Sequence, residues 1–327
     1  MTTVTARPRC LGYALKCSLF LAALLASLAS VPIRAEAETR SLEVETVKAV
    51  LSQPESKLDF LAAATAFDRA IDKGSDTSAA RATVARLVDA ARQMAGPKPS
   101  DRYKLAAVRK AIYGAGAWNY NRPFTYDLAD PYGQQVRSKM LSAYVRTRKG
   151  NCVSMPVLFL IVADRIGLKV RLAAAPLHLF VRYTDPAGVG HNLEATSGGH
   201  EAPADLYRRK MPMSDRAIQS GLYMRTLTKR ETIAQMAASV LDFLMADRRY
   251  QEAADVADAM LAVNPRDAYA LVKKGSAMGE MLEAEFHGKY PVPAMMPPTL
   301  RPRYAMLAAA NDKGFRDAEA LGWEPAK

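Results

Sequence analysis

The stretch Arg148-Lys149-Gly150-Asn151-Cys152-Val153-Ser154-Met155-Pro156-Val157-Leu158-Phe159-Leu160-Ile161-Val162-Ala163 sets the architecture of this 327-residue chain. A Gly-Asn turn leads into a run that is apolar on every side, and Gly167 stands ready as a C-cap. Such a run predicts a helix over Cys152–Ile166 that is buried all round. Downstream the period changes from helical to alternating. Lys169–Ala174 and Leu177–Tyr183 read as strands, Asp185-Pro186-Ala187-Gly188 as a turn, and Asn192–Thr196 as the returning strand. A buried helix followed by an antiparallel meander is an α+β arrangement, with no βαβ alternation to suggest a doubly wound sheet.

Chemistry enters through the residue that opens the helix. A thiol attacks carbonyls as the thiolate, and a helix start offers unsatisfied N–H groups and the positive end of the macrodipole, both of which favour the anion. The same N–H groups suit an oxyanion on the attacked carbonyl, with that of Cys152 the first candidate. On the second strand His178, Phe180 and Arg182 share one face, and Leu177, Leu179, Val181 and Tyr183 the other. On the returning strand Asn192, Glu194 and Thr196 share a face that falls roughly opposite His178. Cys152, His178 and Glu194 therefore stand in the order nucleophile, base, orienter, with Asn192 as a neutral alternative orienter.

Upstream, Ser41–Ala95 is Ala-rich and helical, with amphipathic segments at Leu58–Asp72 and Thr77–Met94. A third helix, capped by Ser100 or Asp101, runs to about Tyr113, and another is predicted over Gln134–Thr147. Between them Gly114–Gly133 is an aperiodic loop rich in aromatics and amides. Its aromatics either pin it or line a groove, and Trp118 and Asn119 are the groove candidates. Beyond Gly198-Gly199 the pattern returns to helices at Glu231–Ala246, Tyr250–Val263 and Ala268–Glu285. Arg249–Ala268 resembles part of one tetratricopeptide unit, and only about one and a half such units can be read among these helices, too few to stand alone, so they are expected to dock on the rest. An extended Pro/Met linker over 290–298 and a helix near Tyr304–Leu321 complete the chain.

The N-terminus reads as an export signal. Arg7, Arg9 and Lys16 precede an apolar core from Ser18 to Val31, and Ala35-Glu36-Ala37 offers a cleavage site. The core falls short of the ~20 residues that span a bilayer. Cleavage near residue 37 is expected to give a periplasmic or secreted protein without a stable membrane anchor. It would remove Cys10 and Cys17, leaving Cys152 as a solitary thiol, and would leave 41 basic and 32 acidic residues. That excess contains no long Lys/Arg block, so a solvated basic surface is expected rather than nucleic-acid binding. His191, His200 and His287 lack ligand spacing with a second cysteine or an acid pair, so no metal site is expected. No phosphate-cradling glycine motif occurs, so no cofactor is expected.

These residues resemble the transglutaminase-like superfamily, whose papain-like core sets a cysteine on a helix and a histidine and an acid on adjacent strands. Gly150-Asn151-Cys152 is similar to its helix start, His178-Leu179-Phe180-Val181 to its histidine strand, and Glu194-Ala195-Thr196 to its "D-P-T" segment. Tyr126-Asp127-Leu128-Ala129-Asp130-Pro131 looks like a loop of the SirB1-type branch, which joins such a core to tetratricopeptide-like helices. The resemblance covers about Lys104–Gly199 well and later helices loosely, and does not cover Ser41–Ala95. It implies domains at 1–37 (signal), 38–99 (helical), 100–205 (core), 206–289 (tetratricopeptide-like) and 290–327 (linker and helix). It also implies that Cys152 is the nucleophile, His178 the base and Glu194 the orienter, acting on an amide of a protein or peptide through a thioester. Water as acceptor would make a hydrolase, and an amine a transglutaminase. Glu194 departs from the family's usual aspartate, and its extra methylene asks for a different strand offset. The alternative is a non-catalytic periplasmic adaptor that binds a protein partner through its C-terminal helices, and a third reading is a cell-wall peptide hydrolase.

Overall fold

The computed structural model describes residues 41–325. The leader expected over residues 1–37 lies outside them. In chain order the helices are α1 (Leu42–Leu51), α2 (Phe60–Ile71), α3 (Thr77–Ala95), α4 (Asp101–Tyr113), α5 (Leu141–Thr147) and α6 (Ser154–Arg165). After the sheet follow α7 (Ala204–Lys210), α8 (Asp215–Gln219), α9 (Lys229–Met236), α10 (Ala238–Ala246), α11 (Tyr250–Val263), α12 (Ala268–Leu282) and α13 (Arg301–Ala320). Two short strands, β1 (Thr125–Tyr126) and β2 (Lys149–Gly150), pair in parallel. β3 (Val170–Ala175), β4 (His178–Thr184), β5 (Gly190–Glu194) and β6 (His200–Glu201) form an antiparallel meander in that order. The described residues fall in one compact unit.

α6 is the hub. Ser154–Ala163 are all buried, because the run Val157–Ala163 offers no polar side chain to any face. Helices α2 to α5 surround it on one side and β3 and β4 lie against another. Leu179, Val181 and Tyr183 point from β4 into this main core. The other face of β4 is covered too, since Phe180 packs in a second apolar cluster with Tyr207 of α7. Their rings stack at 4.4 Å. This second cover makes the sheet two-sided and shelters the face that carries His178.

Several local outcomes differ from the sequence pattern. The helix expected over Gln134–Thr147 breaks at Met140 into a 3₁₀ turn (Val136–Lys139) and α5. The buried carboxylate of Asp68, from α2, accepts the N–H groups of Leu141 at 3.2 Å and Ser142 at 2.7 Å, so α5 is capped from across the fold. Burial raises Asp68 to about 6 despite these bonds. Glu231–Ala246, expected as one helix, divides at Ala237 into α9 and α10. Leu177, expected on the apolar face of β4, instead occupies the Pro176-Leu177 turn with φ of 55°.

Candidate active site

Cys152 sits two residues before the first helical residue of α6, in a turn whose geometry is set by Asn151. The Asn151 side chain is fully buried, and its Oδ1 accepts the N–H of Val153 at 3.0 Å and of Ser154 at 3.1 Å. Asn151 O also accepts the N–H of Met155 at 3.1 Å, so Asn151 caps the turn that leads into α6 and Cys152 is the first residue after the cap. Asn151 Nδ2 donates to Ser138 O at 3.2 Å and Ser138 Oγ at 2.9 Å. Ser138 Oγ donates to Asp130 at 2.5 Å, and Asp130 also accepts the N–H groups of Gln134 and Gln135. The Tyr126–Ser138 loop is thus folded around one buried acid and holds the cysteine turn through Asn151.

Two glycines allow this close fit. A Cβ on Gly150 would lie 2.5 Å from the Tyr144 ring, and one on Gly133, at φ of 63°, 2.9 Å from Asn151 Nδ2. The C-terminal helices reach the same loop. Lys139 pairs with buried Asp242 of α10, which also holds Lys273 of α12 at 3.1 Å and accepts the Tyr269 hydroxyl.

His178 opens β4. The β4–β5 register pairs Arg182 with Asn192 and Val181 with Leu193. Carried on, it sets Glu194 beside Phe180, diagonal to His178 rather than opposite it. The longer glutamate side chain spans the diagonal, and Glu194 Oε2 meets His178 Nε2 at 2.8 Å. Both side chains are nearly covered, at 10 % and 12 % exposure. The Cys152 thiol donates to Leu177 O at 3.7 Å, one residue before His178, and Glu194 engages Nε2 of the imidazole and leaves Nδ1 to other partners. Burial works to lower the His178 pKa, but Cys152 and Glu194 outweigh it and raise the value to about 9. At neutral pH the site therefore holds an imidazolium between a sulfur and a carboxylate. Burial works against the Glu194 charge as well, and the His178 contact with the Thr196 bonds holds its carboxyl below the usual value.

Glu194 is fully engaged. Besides His178 it accepts the Tyr207 hydroxyl at 3.1 Å, and Thr196 N–H at 3.0 Å and Thr196 Oγ at 2.6 Å. Burial, and then the Glu194 charge, keep the Tyr207 phenol protonated well above its ordinary range, so it acts as a donor. Cys152 N–H donates to no acceptor among the described residues, which leaves it available to an oxyanion.

The structure thus brings Cys152, His178 and Glu194 together and places the other candidates elsewhere. Asn192 is not an orienter: its Oδ1 accepts Arg182 at 2.8 Å and its Nδ2 donates to Ala202 O, because the register aligns it with Arg182. Trp118 and Asn119 do not line the cysteine cleft. Trp118 Nε1 donates to Ala111 O at 2.9 Å and Asn119 Nδ2 to Gly114 O at 2.7 Å, so both tie the loop to the end of α4. Trp118 borders a hollow of about 350 Å³ against α3. The aromatic from that loop that joins the strand leading to the cysteine turn is Tyr126. It pairs with Gly150, and its phenol is raised first by burial and next by Cys152. Tyr207, Thr196 and Asp130 are further site residues that the spacing of Cys, His and acid did not single out. Thr196, adjoining the acid, carried a local signal, whereas Tyr207 carried none.

The sequence model of the transglutaminase-like superfamily matches residues 78–253, more than half of the chain. The chain belongs to the transglutaminase-like superfamily. The match begins at the first turn of α3 and ends in α11. It therefore takes in two flanks, α3 on one side and α7 to α10 on the other, beyond the Lys104–Gly199 core expected from the motifs. That extent agrees with the packing, in which α3 touches α6 and Tyr207 of α7 completes the acid's shell. No curated protein and no solved structure shows a significant match.

Proposed function

We propose that this superfamily member is a cysteine enzyme of acyl transfer, attacking an amide carbonyl of a peptide or protein with Cys152. The observation that carries the reading is the 2.8 Å contact of His178 Nε2 with Glu194, made while the Cys152 thiol lies 3.7 Å from the carbonyl oxygen of the residue before His178. In this reading the imidazolium is the counter-ion of the attacking sulfur. The S–C bond forms at the carbonyl, the oxyanion meets Cys152 N–H, and the C–N bond breaks as His178 passes its proton to the leaving amine. Neutral His178 then takes a proton from the acceptor, water or an amine, which displaces sulfur from the thioester. Glu194 fixes the ring so that the working nitrogen faces sulfur, and Thr196 and Tyr207 fix Glu194. An exported enzyme fits the N-terminal pattern of charge and apolarity.

The test is alkylation of the folded protein. Iodoacetamide is expected to modify Cys152 at mildly acidic pH, and His178→Ala to slow it by at least about tenfold. A thiol that reacts only after unfolding, or one indifferent to His178, would overturn the reading. An adaptor without catalysis predicts the latter result.

A further inference from the structure

The three most exposed large apolar side chains among the described residues are Leu128 at 85 %, Tyr132 at 70 % and Leu177 at 67 %. All three lie on the two segments that meet the cysteine turn. Leu177 precedes His178, and its carbonyl oxygen is 3.7 Å from Cys152 Sγ. Leu128 follows Asp127, whose N–H donates to Gly150 O at 2.7 Å. Tyr132 adjoins Gly133, which packs against Asn151. The Leu128–Tyr132 segment contains one charged residue, Asp130, and that carboxylate is turned inward onto backbone N–H groups and Ser138. Its outer surface is therefore apolar and uncharged.

Leu177 is also a backbone outlier. It holds the second place of a two-residue turn between Ala175 and His178 at φ of 55°, a left-handed position that favours glycine or asparagine. The conformation leaves a large apolar side chain two-thirds exposed on the residue whose carbonyl meets the sulfur. A strained, exposed leucine at the nucleophile is a feature for something outside the fold. Its carbonyl, once the thiol proton has gone, is free to accept an N–H from a bound chain, a contact that a peptide can make and a fatty acyl chain cannot.

We infer that the apolar rim formed by Leu177, Leu128 and Tyr132 selects the substrate: a peptide segment carrying a bulky apolar side chain next to the attacked carbonyl. This rests on the proposed role of Cys152 and adds the substrate class. Each rim residue covers part of that side chain, and the uncharged surface disfavours acidic and basic residues there.

Chloromethyl ketones of N-acetylated leucine, glycine, aspartate and lysine test the idea, because displacement of chloride by the Cys152 sulfur leaves a countable adduct. The leucyl reagent is expected to inactivate about tenfold faster than the glycyl one, and faster still than the charged pair. In Leu177→Asn, which suits the left-handed backbone, the leucyl-to-glycyl ratio is expected to fall to about two or below. Leu128→Asn, at a side chain too exposed to affect folding, is expected to lower the same ratio in part. A wild-type ratio near one, or a ratio unchanged in both variants, overturns the rim. A long-chain alkyl iodoacetamide reacting faster than the leucyl reagent overturns the choice of a peptide. These failures are separable from failure of the parent reading, which shows as absence of His178-dependent labelling by iodoacetamide in the folded wild type.

Discussion

Glu194→Gln removes one negative charge from the shell of His178 while keeping the side-chain volume. Glu194 accepts four hydrogen bonds, two at each oxygen. A glutamine has one acceptor oxygen, so its NH₂ must face either His178 and Tyr207 or the Thr196 pair, leaving buried donors opposed at a cost of about 1–3 kcal/mol. The charge matters more. His178 stands at about 9 against an ordinary 6.5, a difference of on the order of 3 kcal/mol in favour of the imidazolium. Burial alone pushes the other way, and Cys152 is the one other group raising it. Without the carboxylate the imidazole is expected to titrate about two pH units lower. Amide turnover, which needs both ring orientation and a charged donor for the leaving amine, is expected to fall about 10²–10⁴-fold. The chain has only four histidines, so NMR titration of labelled imidazoles, with His178 assigned by its loss in His178→Asn, reads the shift directly. A midpoint still near 9 in Glu194→Gln would refute the account of how the acid acts.

Tyr207→Phe deletes one donor to Glu194 while keeping the stack on Phe180. It is expected to raise the His178 midpoint, because the carboxylate loses a donor that shares its charge, and to slow turnover by about tenfold, about 1–2 kcal/mol, as Glu194 is held less firmly; an unchanged midpoint would reduce Tyr207 to a packing residue. Asn151→Ala uncaps α6 and leaves Ser138 without its amide partner, with an expected loss of about 2–4 kcal/mol in urea unfolding; a loss below 0.5 kcal/mol, roughly the scale of a surface change, would show that the cap is dispensable. Because the folded His178 value lies above the unfolded one, its stabilisation is complete below about 6.5 and is lost as pH rises through about 9. Stability measured at pH 6.5 and 9.5 is therefore expected to fall more in the wild type than in His178→Asn, and equal slopes would contradict the ion-pair description.

The helical segments were legible because their determinants are local. α3, α4 and α11 lie where apolar period and caps place them, and Gly167 ends the α6 helix region as its position suggests. The meander was legible for the same reason, from alternation and a Pro-Gly turn. What local pattern missed was decided by partners distant in the chain. Asp68 starts α5 from more than seventy residues away, and β1 and β2 are too short to show a period. At the site the three side chains were legible through their order and chemistry, whereas their shell was not. Trp118 and Asn119 looked suited to a groove because aromatic and amide side chains serve recognition and pinning equally well. Only the position of the Ala111 and Gly114 carbonyls at the end of α4 separates the two roles.

By itself the sequence determined the α+β class, the buried helix behind Cys152, and the residue types able to carry acyl-transfer chemistry. These follow from periodicity, turn residues and the reactivity of a thiol, all properties of short stretches. Tertiary structure decided the rest. It set the diagonal that Glu194 spans to His178, the acceptor positions that took Asn192 out of the site, and the arrival of Tyr207 from α7. It also held Leu177 in a left-handed turn beside the sulfur. Each of these depends on strand register or on the packing of distant elements, and neither is written in any single segment of the chain.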